Sequence, residues 1–168
     1  NLAIEAGELV SIIGSNGSGK STLLQILAGL IFPTSGSVFF DGEPITCEQL
    51  TKRDFVRLFR GHVGFVFQDA DVQLFCPTVL DELLFGPLQL GLKKDEARER
   101  AVEIMRLLGI ERLADRSSLM LSGGEKKRVA IGSVLTMNPS VLLLDEALGD
   151  LDPRSMSFIV ELIMRLND

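Results

Sequence analysis

The chain has 168 residues, 46% of them hydrophobic, enough for one globular domain with a substantial core. Lys and Arg total 17 against 23 Asp and Glu, a formal charge of −6, which argues against a protein that grips nucleic acid through a basic face. Cys47 and Cys76 stand alone without metal-ligand spacing and read as reduced thiols of a cytosolic protein, and no apolar run reaches the roughly 20 residues of a membrane helix.

Along the chain, Leu9-Val10-Ser11-Ile12-Ile13 is a short apolar run that ends at Gly14 and predicts a buried strand. A helix is expected over residues 20–30, stopped by Gly29 and Pro33. Residues 37–40 read as a strand closed by the turn pair Asp41-Gly42, 49–59 as a helix, and 63–67 as a second apolar strand. Two helices are expected next, over 79–85 and 94–108. The second has Ala97, Ala101, Ile104, Met105 and Leu108 at helical spacing, and Gly109 closes it. A helix over 125–137 precedes Pro139. Val141-Leu142-Leu143-Leu144 then reads as a strand buried on both faces. Pro153 suits the first turn of a last helix, 154–166. Strands alternating with helices predict an α/β domain with a mainly parallel sheet. Asn at position 1 and an end inside a helical pattern read as a piece of a longer chain.

Gly14-Ser15-Asn16-Gly17-Ser18-Gly19-Lys20-Ser21 fits the phosphate-loop pattern G-x-x-x-x-G-K-[ST]. Each requirement has a cause. The glycines let the backbone wrap phosphates closely. The loop N–H groups and the positive end of the following helix, which continues through Thr22, form an anion cradle. Lys20 reaches the β- and γ-phosphates, and the Ser21 hydroxyl is a ligand for Mg²⁺. A Gly-rich surface turn is the bland alternative, and the strand before and helix after disfavour it. The expected ligand is ATP with Mg²⁺.

An apolar strand ending in Asp145-Glu146 puts carboxylates at the carboxyl edge of the sheet, where α/β proteins bind ligands. Asp145 can hold Mg²⁺, and Glu146 can act as general base on an attacking water.

Leu121-Ser122-Gly123-Gly124-Glu125, together with the phosphate loop and the acid pair, resembles the ATP-binding cassette (ABC) ATPases, and the resemblance covers essentially the whole chain. It implies a P-loop core with a mainly parallel sheet, a small antiparallel β portion and an inserted helical subdomain near 78–135, in one domain spanning 1–168 and truncated at both ends. In that family the pentapeptide is the signature motif, which contacts the ATP of the opposite subunit. Ser122 is able to cap the helix that follows. By the same resemblance Gln68 is the Q-loop glutamine, touching Mg²⁺ and the attacking water, so the implied catalytic residues are Glu146, Lys20 and Gln68. The Mg²⁺ residues are Ser21, Gln68 and Asp145. Gly149-Asp150-Leu151-Asp152 takes the D-loop position. There Asp150 replaces a small residue and is expected to weaken closure or slow hydrolysis.

A narrower stretch, Val63-Gly64-Phe65-Val66-Phe67-Gln68-Asp69 with Asp71-Val72-Gln73-Leu74-Phe75-Cys76-Pro77-Thr78-Val79, is similar to the ATPases of cobalt, nickel and energy-coupling-factor importers. This implies an ATP-hydrolysing subunit at the cytoplasmic face of the membrane, serving import of a metal ion or a vitamin. The implied partners are a second ABC subunit, head to tail, and a transmembrane subunit, with no nucleic acid. Leu74 and Phe75 are expected near the groove that receives the membrane subunit. The family's adenine-stacking aromatic and switch histidine have no counterpart here; His62 precedes Gln68 and reads as a strand-flanking residue. Two other readings stay open: a soluble ABC protein of DNA repair or translation, and a nucleotide-binding regulatory module with little hydrolysis.

Overall fold

Two parallel strands, β3 (Val63–Val66) and β4 (Val141–Leu144), pair in register from Val63 opposite Val141 to Val66 opposite Leu144. The structure is a computed structural model and describes residues 2–149 and 151–167; Asp150, and with it the expected D-loop effect, lies outside the described residues. Alternation along each strand sends successive side chains to opposite faces. Val66, Leu142 and Leu144 join a large apolar cluster with Leu83, Leu108, Val129 and Ile131. Val63, Phe65 and Leu143 join a smaller one with Ala28, Ile45 and Phe59. The sheet therefore separates two cores, although β4 is less covered than an all-apolar strand suggests: Val141 is exposed and only Leu143 is buried. At Gly64 the packing is so close that a methyl group would run into Val134 and Pro139.

The large cluster is built by α4 (Val79–Gln89), α5 (Lys94–Leu108) and α6 (Gly123–Leu135), which pack on one another. α5 buries Ala97, Ala101, Met105 and Leu108, a stripe at helical spacing. Thr78 caps α4, its hydroxyl oxygen accepting from the Asp81 N–H at 3.1 Å. On the other side of the sheet lie α1 (Lys20–Leu27) and α2 (Arg53–His62), where Phe55 stacks on Phe59 at 5.9 Å between ring centroids. A small antiparallel hairpin, β1 (Phe39–Phe40) with β2 (Glu43–Pro44), adds Phe40 edge-on to Phe59. α7 (Pro153–Asn167) follows β4 and buries Ile159 and Leu162 in the large cluster.

Several local expectations need correction. Residues 9–13 form no strand, and Leu9, Val10 and Ile13 are exposed, Ile13 at 93%. A strand needs a neighbour for its backbone groups, and no described strand pairs with this segment. The strand expected over 37–40 is paired only at Phe39–Phe40. The helix expected from 49 is a 3-10 turn, Gln49–Thr51, followed by α2. A helix of one turn, α3 (Ala70–Gln73), was not signalled by periodicity, because four residues are too few to show any. Its cap, Asp69, accepts from the Asp71 N–H at 2.9 Å.

The candidate nucleotide site

The glycine-rich stretch leads directly into α1, with Gly17 at φ 78° and Gly19 at φ 92°. These left-handed conformations fold the loop back over the helix start, and a β-carbon would strain both. The Ser18 N–H donates to the Ser15 carbonyl at 3.2 Å, closing the turn. Lys20 Nζ donates to the carbonyls of Gly14 and Ser15, each at 3.1 Å. Its ammonium thus sits over the loop it is expected to share with phosphates.

Ser21 Oγ, in the first turn of α1, donates to Asp145 Oδ1 at 2.8 Å. Asp145 is buried, and its N–H continues the β3–β4 ladder by donating to the Val66 carbonyl at 3.1 Å. Just beyond the ladder, Gln68 Nε2 donates to Glu146 Oε2 at 3.0 Å. The register explains the meeting. With Val66 opposite Leu144, the chains leave the sheet side by side, and Gln68 and Glu146 are each two residues past the last pair. Glu146 has φ 46°, a left-handed backbone in a residue with a side chain. Such strain is found at functional sites more than elsewhere.

The signature segment is built as a helix start. Ser122 and Glu125 form a reciprocal capping box. Glu125 Oε2 accepts from the Ser122 N–H at 3.0 Å and from its hydroxyl at 2.9 Å. These bonds, with Arg112 and Arg116 nearby, hold the Glu125 carboxyl below the usual carboxylate range. α6 therefore begins at Gly123, two residues before the start expected at 125, and ends at Leu135. The Ser122 hydroxyl proton is engaged within this segment, on the Glu125 carboxylate.

A family model for the ABC transporter family matches residues 1–149. The chain belongs to the ABC transporter family. By sequence and fold it is an ABC ATPase domain. The nickel import ATP-binding protein NikO of Rhodobacter capsulatus is 48% identical over 163 residues, covering 97% of this chain and 64% of that protein. Among solved structures, cbiO1 of Clostridium perfringens, part of the ABC transporter complex cbiONQ, superposes with TM-score 0.81 at 42% identity. That match covers 99% of this chain and 65% of cbiO1. The ATP-binding cassette MJ0796, a dimer in a post-hydrolysis state bound to ADP and Pi, superposes with TM-score 0.88 at 34% identity, covering 100% and 73%. The cassette thus spans about two thirds of the length of the first two.

The donor set of this ABC domain fits Mg-nucleotide. Ser21 and Asp145 supply a hydroxyl and a carboxylate at hydrogen-bond distance, and Mg²⁺ commonly takes one or two such protein oxygens plus phosphate oxygens and waters. Among the described residues no group of three or more His, Cys, Asp or Glu could hold a metal by itself, so phosphate oxygens complete the fit.

Beyond the motif residues, the structure adds a groove lined by Arg60, Gln73, Phe75, Glu82, Phe85 and Met137. Phe75 and Phe85 meet edge to face at 4.9 Å, and both are exposed. Buried Glu82 accepts from the N–H groups of Phe75 and Cys76 at 3.0 and 2.7 Å and so holds that loop in place. Of the two residues expected near a partner groove, Phe75 lines this one and Leu74 is buried in the large cluster. Nothing in the spacing of Glu82 or Gln73 marks them; both are polar residues whose partners are chosen by tertiary packing. No helix among the described residues is long and apolar enough to cross a membrane.

Proposed function

We propose that this cassette is the ATP-binding and ATP-hydrolysing part of an ABC importer for a metal ion such as cobalt or nickel, or for a vitamin. The observation that carries the proposal is the convergence of Ser21 with Asp145 and of Gln68 with Glu146 at one end of the sheet. The names of relatives that act in nickel import or belong to cbiONQ support the substrate class.

The site residues then take these roles. The backbone of Gly14, Ser15, Asn16, Gly17, Ser18 and Gly19, with Thr22 on the first turn of α1, cradles the phosphates. Lys20 exchanges its two carbonyl partners for β- and γ-phosphate oxygens, a stronger charge-assisted contact. Ser21, Asp145 and Gln68 are the residues that would hold Mg²⁺, which supplies charge neutralisation at the phosphates. Glu146 accepts the proton of the attacking water, with its carboxylate oriented by Gln68. Leu121, Ser122, Gly123, Gly124 and Glu125 meet the nucleotide of a second ABC subunit, head to tail, and give two composite sites in a C2 dimer. Helices α4 to α6 form the helical subdomain. The groove at Phe75 and Phe85 receives a helix of a transmembrane subunit, placing the cassette peripherally at the cytoplasmic face of the membrane.

The deciding experiment is turnover of Mg-ATP by the full-length protein, alone and with its membrane partner, beside Glu146→Gln. Hydrolysis that disappears in Glu146→Gln, with ATP binding kept, supports the reading. A full-length protein that binds ATP and never hydrolyses it, with its partners present, refutes it.

A further inference from the structure

The stretch Asp71-Val72-Gln73-Leu74-Phe75 carries a glutamine for which the ATPase site has no role so far. Gln73 ends α3 and is half-buried. Its Oε1 accepts from the Phe67 N–H at 3.1 Å. Its Nε2 donates to the Ala130 carbonyl at 2.7 Å and to Ser133 Oγ at 3.1 Å, both on α6. One amide thus joins the backbone immediately before Gln68 to the helix that begins at the signature serine. Three bonds from one planar group fix its orientation. The Val66 carbonyl faces β4 and takes the Asp145 N–H, so the Phe67 N–H of the same trans peptide points away from β4, where Gln73 supplies its acceptor. A second tie runs in parallel, an ion pair between Lys126 of α6 and Asp71 of α3. α3 is therefore bolted to α6 at two points, and the bolt with a bond to the Q-loop backbone is Gln73.

We propose that Gln73 is a positioning residue for hydrolysis: it sets where Gln68, and through it Glu146, stands relative to the signature helix. The inference rests on the ATPase reading above. Gln73 touches neither Glu146 nor the phosphate loop; its partners are Phe67, Ala130 and Ser133. It also lines the groove assigned to the membrane subunit, so a helix seated there presses on the same amide. Two functional elements far apart in sequence then move together, because a shift of α6 drags Phe67 and Gln68 with it.

The test uses the full-length protein and two variants. Gln73→Met keeps length and removes all three bonds. Gln73→Glu keeps an oxygen for the Phe67 N–H and removes the donors to α6. In Gln73→Met, kcat should fall by about ten-fold or more, as misplacement of catalytic groups by fractions of an ångström does, with ATP affinity by calorimetry within two-fold of the parent. Amide exchange at Phe67 should speed up in Gln73→Met and stay near the parent in Gln73→Glu. If Gln73→Met does not fold, Gln73→Glu alone decides, since it should lower kcat without changing ATP affinity. Unchanged kcat in a folded variant overturns the proposal. So does an equal loss of kcat and ATP affinity, which marks Gln73 as a plain packing residue. An active parent with an unaffected variant sinks this inference alone, whereas an inactive parent sinks the ATPase reading and this inference with it.

Discussion

Ser21 Oγ donates to Asp145 Oδ1 at 2.8 Å, a bond that ties the start of α1 to the end of β4 across 124 residues of chain. It brings together a hydroxyl and a carboxylate that both suit Mg²⁺. The same bond stabilises the fold without nucleotide, since it satisfies a buried carboxylate. Ser21→Ala should therefore weaken Mg-dependent ATP binding and also lower stability by about 1–3 kcal/mol, the cost of leaving the Asp145 carboxylate one partner short. Thermal unfolding without nucleotide and ATP titration with and without Mg²⁺ check the two effects separately.

Lys20 holds the Gly14 and Ser15 carbonyls at 3.1 Å each. Lys20→Ala removes a cation from the phosphates and a clasp from the loop. A charge-assisted hydrogen bond contributes about 1.5–3 kcal/mol, so ATP affinity should drop by roughly ten-fold to a hundred-fold. Calorimetry on the full-length protein measures this, and an unchanged affinity together with unchanged turnover would remove the phosphate loop from the site.

Glu146→Gln leaves an acceptor for Gln68 Nε2 but no carboxylate to take a proton. Turnover should fall by about 10²–10⁴-fold, the usual contribution of a general base. With saturating Mg-ATP the variant should sediment as a dimer, with its natural ABC partner if the pair is a heterodimer. A monomer under those conditions contradicts the head-to-tail assembly.

Phe75 and Leu74 separate docking from stability. Phe75 is 65% exposed and pairs edge-on with Phe85, whereas Leu74 is buried in the large cluster. Phe75→Asp should spare ATP binding and fold stability and uncouple ATPase activity from transport. Leu74→Ala should cost about 2–5 kcal/mol as a cavity mutation. Transport assays and denaturant melts on the two variants distinguish the effects, and transport unharmed by Phe75→Asp moves the membrane partner elsewhere.

Burial and the nearby carboxylates of Glu82 and Asp81 push the Cys76 thiol up to about 11. The sign follows from the thiolate being the disfavoured form. At pH 8 about one Cys76 in a thousand is thiolate in the fold, against roughly one in four for an unfolded thiol near 8.5. Alkylation of Cys76 by iodoacetamide at pH 8 should then be about two orders of magnitude slower in the native protein than in urea, read by mass spectrometry of the two cysteine peptides. Stability contributed by the neutral thiol is present below about 8.5 and is lost as pH rises towards 11. Equal alkylation rates in the native and unfolded states would contradict this environment.

The sequence by itself determined the family and the local motifs of the candidate site. The phosphate loop is contiguous, and its requirements are local: glycines for positive φ, a cation, a hydroxyl, and a helix start. The acid pair at 145–146, the strand before it and the helix over 94–108 were legible for the same reason, because each is a short-range pattern of burial. Only the tertiary structure decided which distant residues meet. The β3–β4 register puts Gln68 against Glu146, and no periodicity in either segment encodes that pairing. It also decided where residues 9–13 fall, in no strand and exposed apart from half-buried Ile12, since a strand needs a neighbour as well as an apolar run. Gln73 and Glu82 belong to the same class. A polar side chain in a half-buried place takes its role from the backbone groups that packing leaves without partners, and those groups exist only once β3, α3 and α6 are assembled.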